Sequence, residues 1–232
     1  MKSTKKRLSY FSKGEWAIWL GSLAVILLSY GLGRQGEALS LIASLVGVTA
    51  LIFCAKGHPF GQILIILFSV LYGVISYTFA YYGEMITYLG MSMPMAVAAL
   101  ISWARNPYQG KHSEVAVGKL KKWEIPLLCL LTVAVTVGFF FILRALETAN
   151  LLPSTISVAT SFCAAYLTFR RSPYYALAYG LNDLVLILLW VLATVKDPGY
   201  LSVMVCFVVF FFNDLYGFIN WRRMERRQTT SS

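Results

Sequence analysis

The chain has 232 residues, of which 58% are hydrophobic and 13% charged, and its mean hydropathy is +0.68. That balance excludes an ordinary soluble globular domain and points to a polytopic membrane protein, because the longest polar connection, residues 105–124, is too short to build a core of its own. The net charge of +10 would suit a nucleic-acid partner, but basic residues in a membrane protein report its orientation, so their placement decides the matter.

A helix needs roughly 17–25 apolar residues to cross the hydrocarbon layer, and about eight runs satisfy this: 16–32, 38–55, 60–80, 85–103, 125–143, 154–169, 174–195 and 200–221. The expected fold is therefore all-α. Pro59, Pro126, Pro153, Pro173 and Pro198 stand at or just before helix starts, where a missing N–H costs little. Pro94 alone lies inside a span, which it should kink. With a cytoplasmic N-terminus, all but Arg34, Arg144 and Lys196 of the 20 basic residues face inward, which places both termini in the cytoplasm and removes the need for nucleic acid. No small-residue cleavage site precedes Arg34, so the first span is expected to be retained. Cys54, Cys129, Cys163 and Cys206 lie in apolar runs without metal-like spacing and read as small hydrophobes.

Spans two to four and six to eight show a weak self-similarity. The turn at Ala55-Lys56-Gly57-His58-Pro59 recurs at Phe169-Arg170-Arg171-Ser172-Pro173, an offset of 114, and the ending Ser102-Trp103-Ala104-Arg105 recurs at Asn220-Trp221-Arg222-Arg223, an offset of 118. One intervening span makes the two triplets run in the same direction, a parallel repeat of the kind that binds substrate between its halves. The chain divides accordingly into an N-terminal segment with an extra helix (1–35), a first triplet (36–104), a loop and linker helix (105–146), a second triplet (147–221) and a basic tail (222–232), a three-plus-one-plus-three plan.

Among the ten acidic residues, only Asp183 and Asp214 fall within the spans drawn above, each behind an asparagine. Glu84 falls at a span end. Asn182 and Asn213 both lie about 12 Å inside the cytoplasmic boundary on neighbouring antiparallel helices. Helical spacing aligns Asp183 with Trp190, and Asn213 with Tyr216 and Asn220, while Gln62, Ser69 and Ser76 form a stripe on the third span with Tyr72 beside it. Amides offer donors and acceptors, and aromatic faces stack on flat rings. Together they suit an uncharged or cationic aromatic ligand bearing sugar-like hydroxyls. Any one of these groups could equally be packing glue between helices. His58 and His112 are in loops and no Gly-rich Lys loop exists, so neither a metal centre, an ATP site nor another cofactor is expected, and the two aspartates lie in no recognised protease motif.

Gly180-Leu181-Asn182-Asp183, the run from Phe212-Asn213-Asp214-Leu215-Tyr216-Gly217 to Asn220-Trp221-Arg222-Arg223-Met224, and the earlier Tyr82-Gly83-Glu84 and Ser102-Trp103-Ala104-Arg105-Asn106 resemble the PnuC-type nicotinamide riboside transporter family over about residues 40–225. The resemblance implies a bacterial inner-membrane vitamin transporter, a core similar to the SWEET sugar transporters, a homotrimer, and facilitated diffusion of a dephosphorylated vitamin or nucleoside that a cytoplasmic kinase then traps. It also implies that Asn182, Asn213 and Asn220 contact ligand. The fourth span departs from the family pattern with Met93-Pro94-Met95-Ala96-Val97-Ala98-Ala99-Leu100, and Ser69 stands where Asn is usual, so the first triplet reads as the less polar half. Thiamine, riboflavin or deoxynucleosides are alternative cargoes. A proton-coupled carrier and a membrane scaffold that transports nothing are rival functions.

Overall fold

The computed structural model describes residues 10–32, 38–78, 82–148, 150–196 and 201–230. Eight helices there are long and apolar enough to span a membrane. They are α1 (Lys13–Leu32), α2 (Ala38–Ala55), α3 (Phe60–Thr78), α4 (Tyr82–Ala104), α5 (Glu124–Ala145), α6 (Leu151–Phe169), α7 (Tyr174–Lys196) and α8 (Leu201–Thr230). The chain is thus a multi-pass membrane protein. Arg34, Pro198 and the basic segment before Tyr10 lie outside the described residues.

Three boundaries differ from the sequence expectation. First, α4 begins at Tyr82 rather than at 85, so Glu84 is helical, in the first turn at the end of its span. Second, α8 runs on to Thr230 and carries the basic tail as helix. Third, the connection after α4 contains a small hairpin, β1 (Pro107–Tyr108) paired antiparallel with β2 (Lys111–Val115). Glu15 and Glu124 are likewise helical, in the first turns of α1 and α5.

The expected distortion of α4 takes the form of a wide turn at Tyr88–Ser92 just before Pro94, with the Met93 N–H bonding to the Tyr88 carbonyl five residues back. Proline cannot donate to the carbonyl four residues before it. Widening the preceding turn re-registers the ladder, and such turns recur at functional sites.

The helices surround two apolar clusters, one built on Phe68, Tyr72, Trp190, Phe207 and Phe210 and the other on Trp103, Tyr175 and Trp221. Helix α2 packs on α8 and α4 on α6, while α1 covers α2 and α8. The two long stitches at the end of the bundle nearest the chain termini are alike. Trp103 Nε1 donates to the Thr168 carbonyl at 2.8 Å and Ser102 Oγ to the Phe169 carbonyl at 2.7 Å. Trp221 Nε1 donates to the Cys54 carbonyl at 2.9 Å and Asn220 Nδ2 to the Ala55 carbonyl at 2.7 Å. The indoles of Trp103 and Trp221 meet with centroids 5.3 Å apart.

Helices α2 and α6 also end alike. Gly57 and Arg171 each adopt a left-handed conformation, φ 67° and 57°, closing a turn in which the N–H of the following residue reaches back to the carbonyl of Phe53 or Leu167. This is the helix ending for which glycine is favoured. The loop after β2 then crosses both turns: the Val115 N–H bonds to the Gly57 carbonyl and the Gly118 N–H to the Arg171 carbonyl, each at 2.9 Å. Gly118 passes so near that a Cβ would stand 2.2 Å from the Arg170 carbonyl oxygen. The end of α8 holds this loop from the other side. Gln228 accepts from the Val117 N–H and donates to the Val115 carbonyl, and Arg227 pairs with Glu114. Tyr10 donates to the Ser113 carbonyl, so the first and last described segments meet the hairpin and the loop after it at the same end of the bundle.

Candidate ligand-binding site

Between the helices lies a cavity of about 110 Å³, room for several waters or a ring-sized group. Its walls differ in chemistry. Helices α3 and α8 contribute Phe68, Phe207 and Phe210, which with Tyr88 of α4 form an aromatic side. The centroids are 6.0 Å apart for Phe68 and Tyr88, and 5.7 Å for Phe68 and Phe210. Helix α6 presents Ser154, Ser157 and Ser161, and α7 presents Tyr179, Asn182 and Asp183, with Asp214 of α8 beside them. Glu84, Thr87 and Ser92 of α4 and Thr148 before α6 complete the lining.

Asn182 is held by α6. Its Oδ1 accepts from Ser157 Oγ at 3.0 Å, Thr160 Oγ1 at 2.9 Å and Ser161 Oγ at 3.0 Å. Three hydroxyls on one oxygen fix the amide with its carbonyl toward α6, which leaves the NH₂ edge directed away from it. Asp183 and Asp214, each 4% exposed, face one another within hydrogen-bond reach. Two bare carboxylates at that distance repel, so the arrangement suits a proton held between them.

Three shielded polar atoms on the lining have no hydrogen-bond partner: Glu84 Oε2, Thr148 Oγ1 and Asp183 Oδ2. Buried groups of this kind cost about 1–3 kcal/mol each when left unmade. A ligand with donors and acceptors would satisfy them.

Of the residues singled out from sequence, Ser69, Asn182, Asp183 and Asp214 line the cavity. Tyr72 lies behind it, its hydroxyl bonded to the Glu84 carboxylate and its ring 4.5 Å from that of Tyr88. Trp190 also stands one layer back, stacked on Phe207 with centroids 6.5 Å apart. Gln62 donates to Cys54 Sγ at 3.4 Å, between α3 and α2. The aligned stripe on α8 exists but faces the other way. Asn213 Nδ2 donates to Ser22 Oγ of α1 at 2.9 Å, Tyr216 OH to Glu15 Oε1 of α1 at 2.8 Å, and Asn220 to the end of α2. Helix α1 meets Asn213 and Tyr216 and the end of α2 meets Asn220, so these three residues tie helices together and none lines the cavity.

The sequence reading passed over Glu84, Thr87, Tyr88 and the α6 hydroxyls. The first triplet contributes five polar residues to the lining and the second eight, with two of the three acids, so the first is the less polar half. The Met93–Leu100 run does not reach the cavity whereas Ser69 does, and the other polar groups of this half come from the outer half of α4. The spacing of Ser154, Ser157 and Ser161, three and four residues apart on one helical face, was the available signal for the α6 wall.

The profile of the nicotinamide mononucleotide transporter family matches residues 37–223, most of the chain. The chain belongs to this family of membrane transporters. Family relatives include the nicotinamide riboside transporter PnuC of Neisseria mucosa, 25% identical over 224 residues that cover 93% of this chain and 85% of the relative. The PnuC of Haemophilus influenzae is 22% identical, with 90% of each chain covered. The fold matches the crystal structure of the vitamin B3 transporter PnuC with a TM-score of 0.81 over 94% of both chains, at 23% identity.

Proposed function

We propose that this family member imports a dephosphorylated vitamin of the nicotinamide riboside type by facilitated diffusion, with a cytoplasmic kinase trapping the product. One observation carries the substrate class: among the described residues lining the cavity none is Lys or Arg, whereas three are carboxylic acids. A phosphate ester would meet no cation there, and phosphate recognition relies on Arg, Lys or arrays of N–H donors. A riboside ring stacked on the aromatic side, with its hydroxyls toward Asn182 and the α6 serines, fits the distribution of groups. The relatives named as nicotinamide riboside transporters support the same choice.

The architecture that goes with this reading is the three-plus-one-plus-three repeat, with α2–α4 and α6–α8 as its halves and a homotrimer as its assembly. The duplicated Trp and Ser or Asn stitches at offsets of 114 and 118 support the repeat. The basic loops and tail at the end shared by both chain termini support a cytoplasmic position for that end and placement in the inner membrane. Substrate would pass as the halves rock about the cavity.

Proteoliposomes containing the purified protein and an enclosed nicotinamide riboside kinase with ATP test this directly. Labelled nicotinamide riboside should accumulate, nicotinamide mononucleotide should not, and empty liposomes should take up neither. Equal uptake of the phosphorylated compound would overturn the proposal. The contact between Asp183 and Asp214 favours one second reading, proton coupling; uptake unchanged by an imposed pH gradient excludes it.

A further inference from the structure

The cavity is acidic beyond what a neutral vitamin requires. Glu84 stands at its side farthest from the chain termini, next to Thr148, and packed so closely that a Cβ on the adjacent Gly83 would lie 2.5 Å from Thr148 Oγ1. The Tyr72 hydroxyl engages the carboxylate from behind, which leaves Oε2 shielded from solvent, without a partner and on the cavity lining. Asp183, 4% exposed, also keeps Oδ2 unpartnered on the same lining. Phe68, Phe207 and Phe210 line the same cavity, and the Tyr72 ring packs 5.6 Å from Phe68 and 6.3 Å from Phe207.

An orphaned carboxylate oxygen in a low-dielectric site is expensive unless a positive group arrives with the ligand. Aromatic faces attract the same kind of group through their quadrupoles. Both features would be wasted on a neutral flavin or deoxynucleoside. Building on the nicotinamide riboside reading above, we propose that Glu84 is a specificity-determining counter-charge that makes this site select a cationic heteroaromatic ring, stacked on the Phe68, Phe207 and Phe210 side with its positive charge toward Oε2.

The test uses two ligands that differ by one hydride: nicotinamide riboside, whose pyridinium ring is cationic, and its dihydro form, whose ring is neutral. Calorimetric titration of the purified full-length protein in nanodiscs should show wild type preferring the cation by at least tenfold. Glu84→Gln should reduce that preference by tenfold or more through the cation alone, and Glu84→Asp should keep most of it, which separates charge from disrupted folding. A preference unchanged by Glu84→Gln, or a parallel loss for both ligands that Glu84→Asp shares, overturns the inference while leaving the vitamin reading standing. If wild type binds neither form, the nicotinamide riboside reading falls, and cationic thiamine against neutral riboflavin then decides the charge question. Binding of thiamine weakened at least tenfold by Glu84→Gln supports it, and failure to bind thiamine overturns it.

Discussion

At the end of the bundle near the chain termini, α4 and α8 finish with the same pair of bonds to the ends of α6 and α2, and their two indoles touch. Around the cavity the same helices differ. Helix α4 offers Glu84, Thr87 and Tyr88, whereas α8 offers Phe207, Phe210 and Asp214. Likewise α3 presents Ile65, Phe68 and Ser69 where α7 presents Tyr179, Asn182 and Asp183. The lesson is that one scaffold can be held by matched contacts while its ligand surface is free to differ on the two sides, because the matched contacts are mostly to backbone carbonyls whose positions do not depend on the neighbouring side chains.

The sharpest way to break this comparison is at the cavity. Replacing Asn182 with Leu removes an acceptor shared by three α6 hydroxyls and an amide on the cavity lining, and should reduce vesicle uptake more than tenfold while the protein still elutes folded by size-exclusion chromatography. The scaffold should respond differently. Trp103→Phe and Trp221→Phe each delete the indole donor to a carbonyl that keeps its turn N–H partner, Arg171 or Gly57, and also lose buried ring volume, and should cost about 1–2 kcal/mol each in thermal or denaturant unfolding. Near-equal losses fit matched scaffolding, and a loss confined to one of them breaks it.

A smaller effect separates the two Asn-Asp pairs themselves. Asn213→Leu gives up the bond to Ser22 of α1 and should lower stability by about 0.6–1.7 kcal/mol, the usual range for a hydrogen bond between membrane helices, with uptake within about twofold of wild type. An abolition of uptake would return Asn213 to the binding site. Smallest of all, Gln228→Ala loosens the loop after β2 from α8. Water can replace part of what is lost there, so a loss of about 0.5 kcal/mol in the same unfolding assay is expected.

The apolar runs made the helices legible, since a bilayer leaves the backbone little choice but helix. The depth of Asp183 and Asp214 was legible for the same reason: a fixed rise per residue sets the height of each side chain. Direction around the helix was harder to read. The stripe Asn213, Tyr216 and Asn220 was correct as a stripe, but spacing alone could not tell that α1 would meet Asn213 and Tyr216 and α2 meet Asn220, because nothing in α8 records where its neighbours dock. Glu84 was missed because its helix begins one turn earlier than hydropathy suggests, in a stretch where Tyr82, Gly83 and Glu84 look like a loop. The α6 wall was missed because Ser and Thr in membrane helices commonly bond back to their own helix, as Thr155 does to Leu151, and so give little outward sign of facing a cavity. The hairpin between α4 and α5 depends on distant partners in α8 and the N-terminal segment, which no local pattern reveals.

The backbone bonds from Val115 to Gly57 and from Gly118 to Arg171 place one short length of chain across the ends of α2 and α6 together. It works as a tie-rod. Any excursion that draws those two helix ends apart must break at least one of these bonds, whereas spreading of the bundle at its far side, beside Glu84, need break neither. One end of the bundle is therefore strapped across by backbone, which raises the cost of parting α2 from α6 at that end.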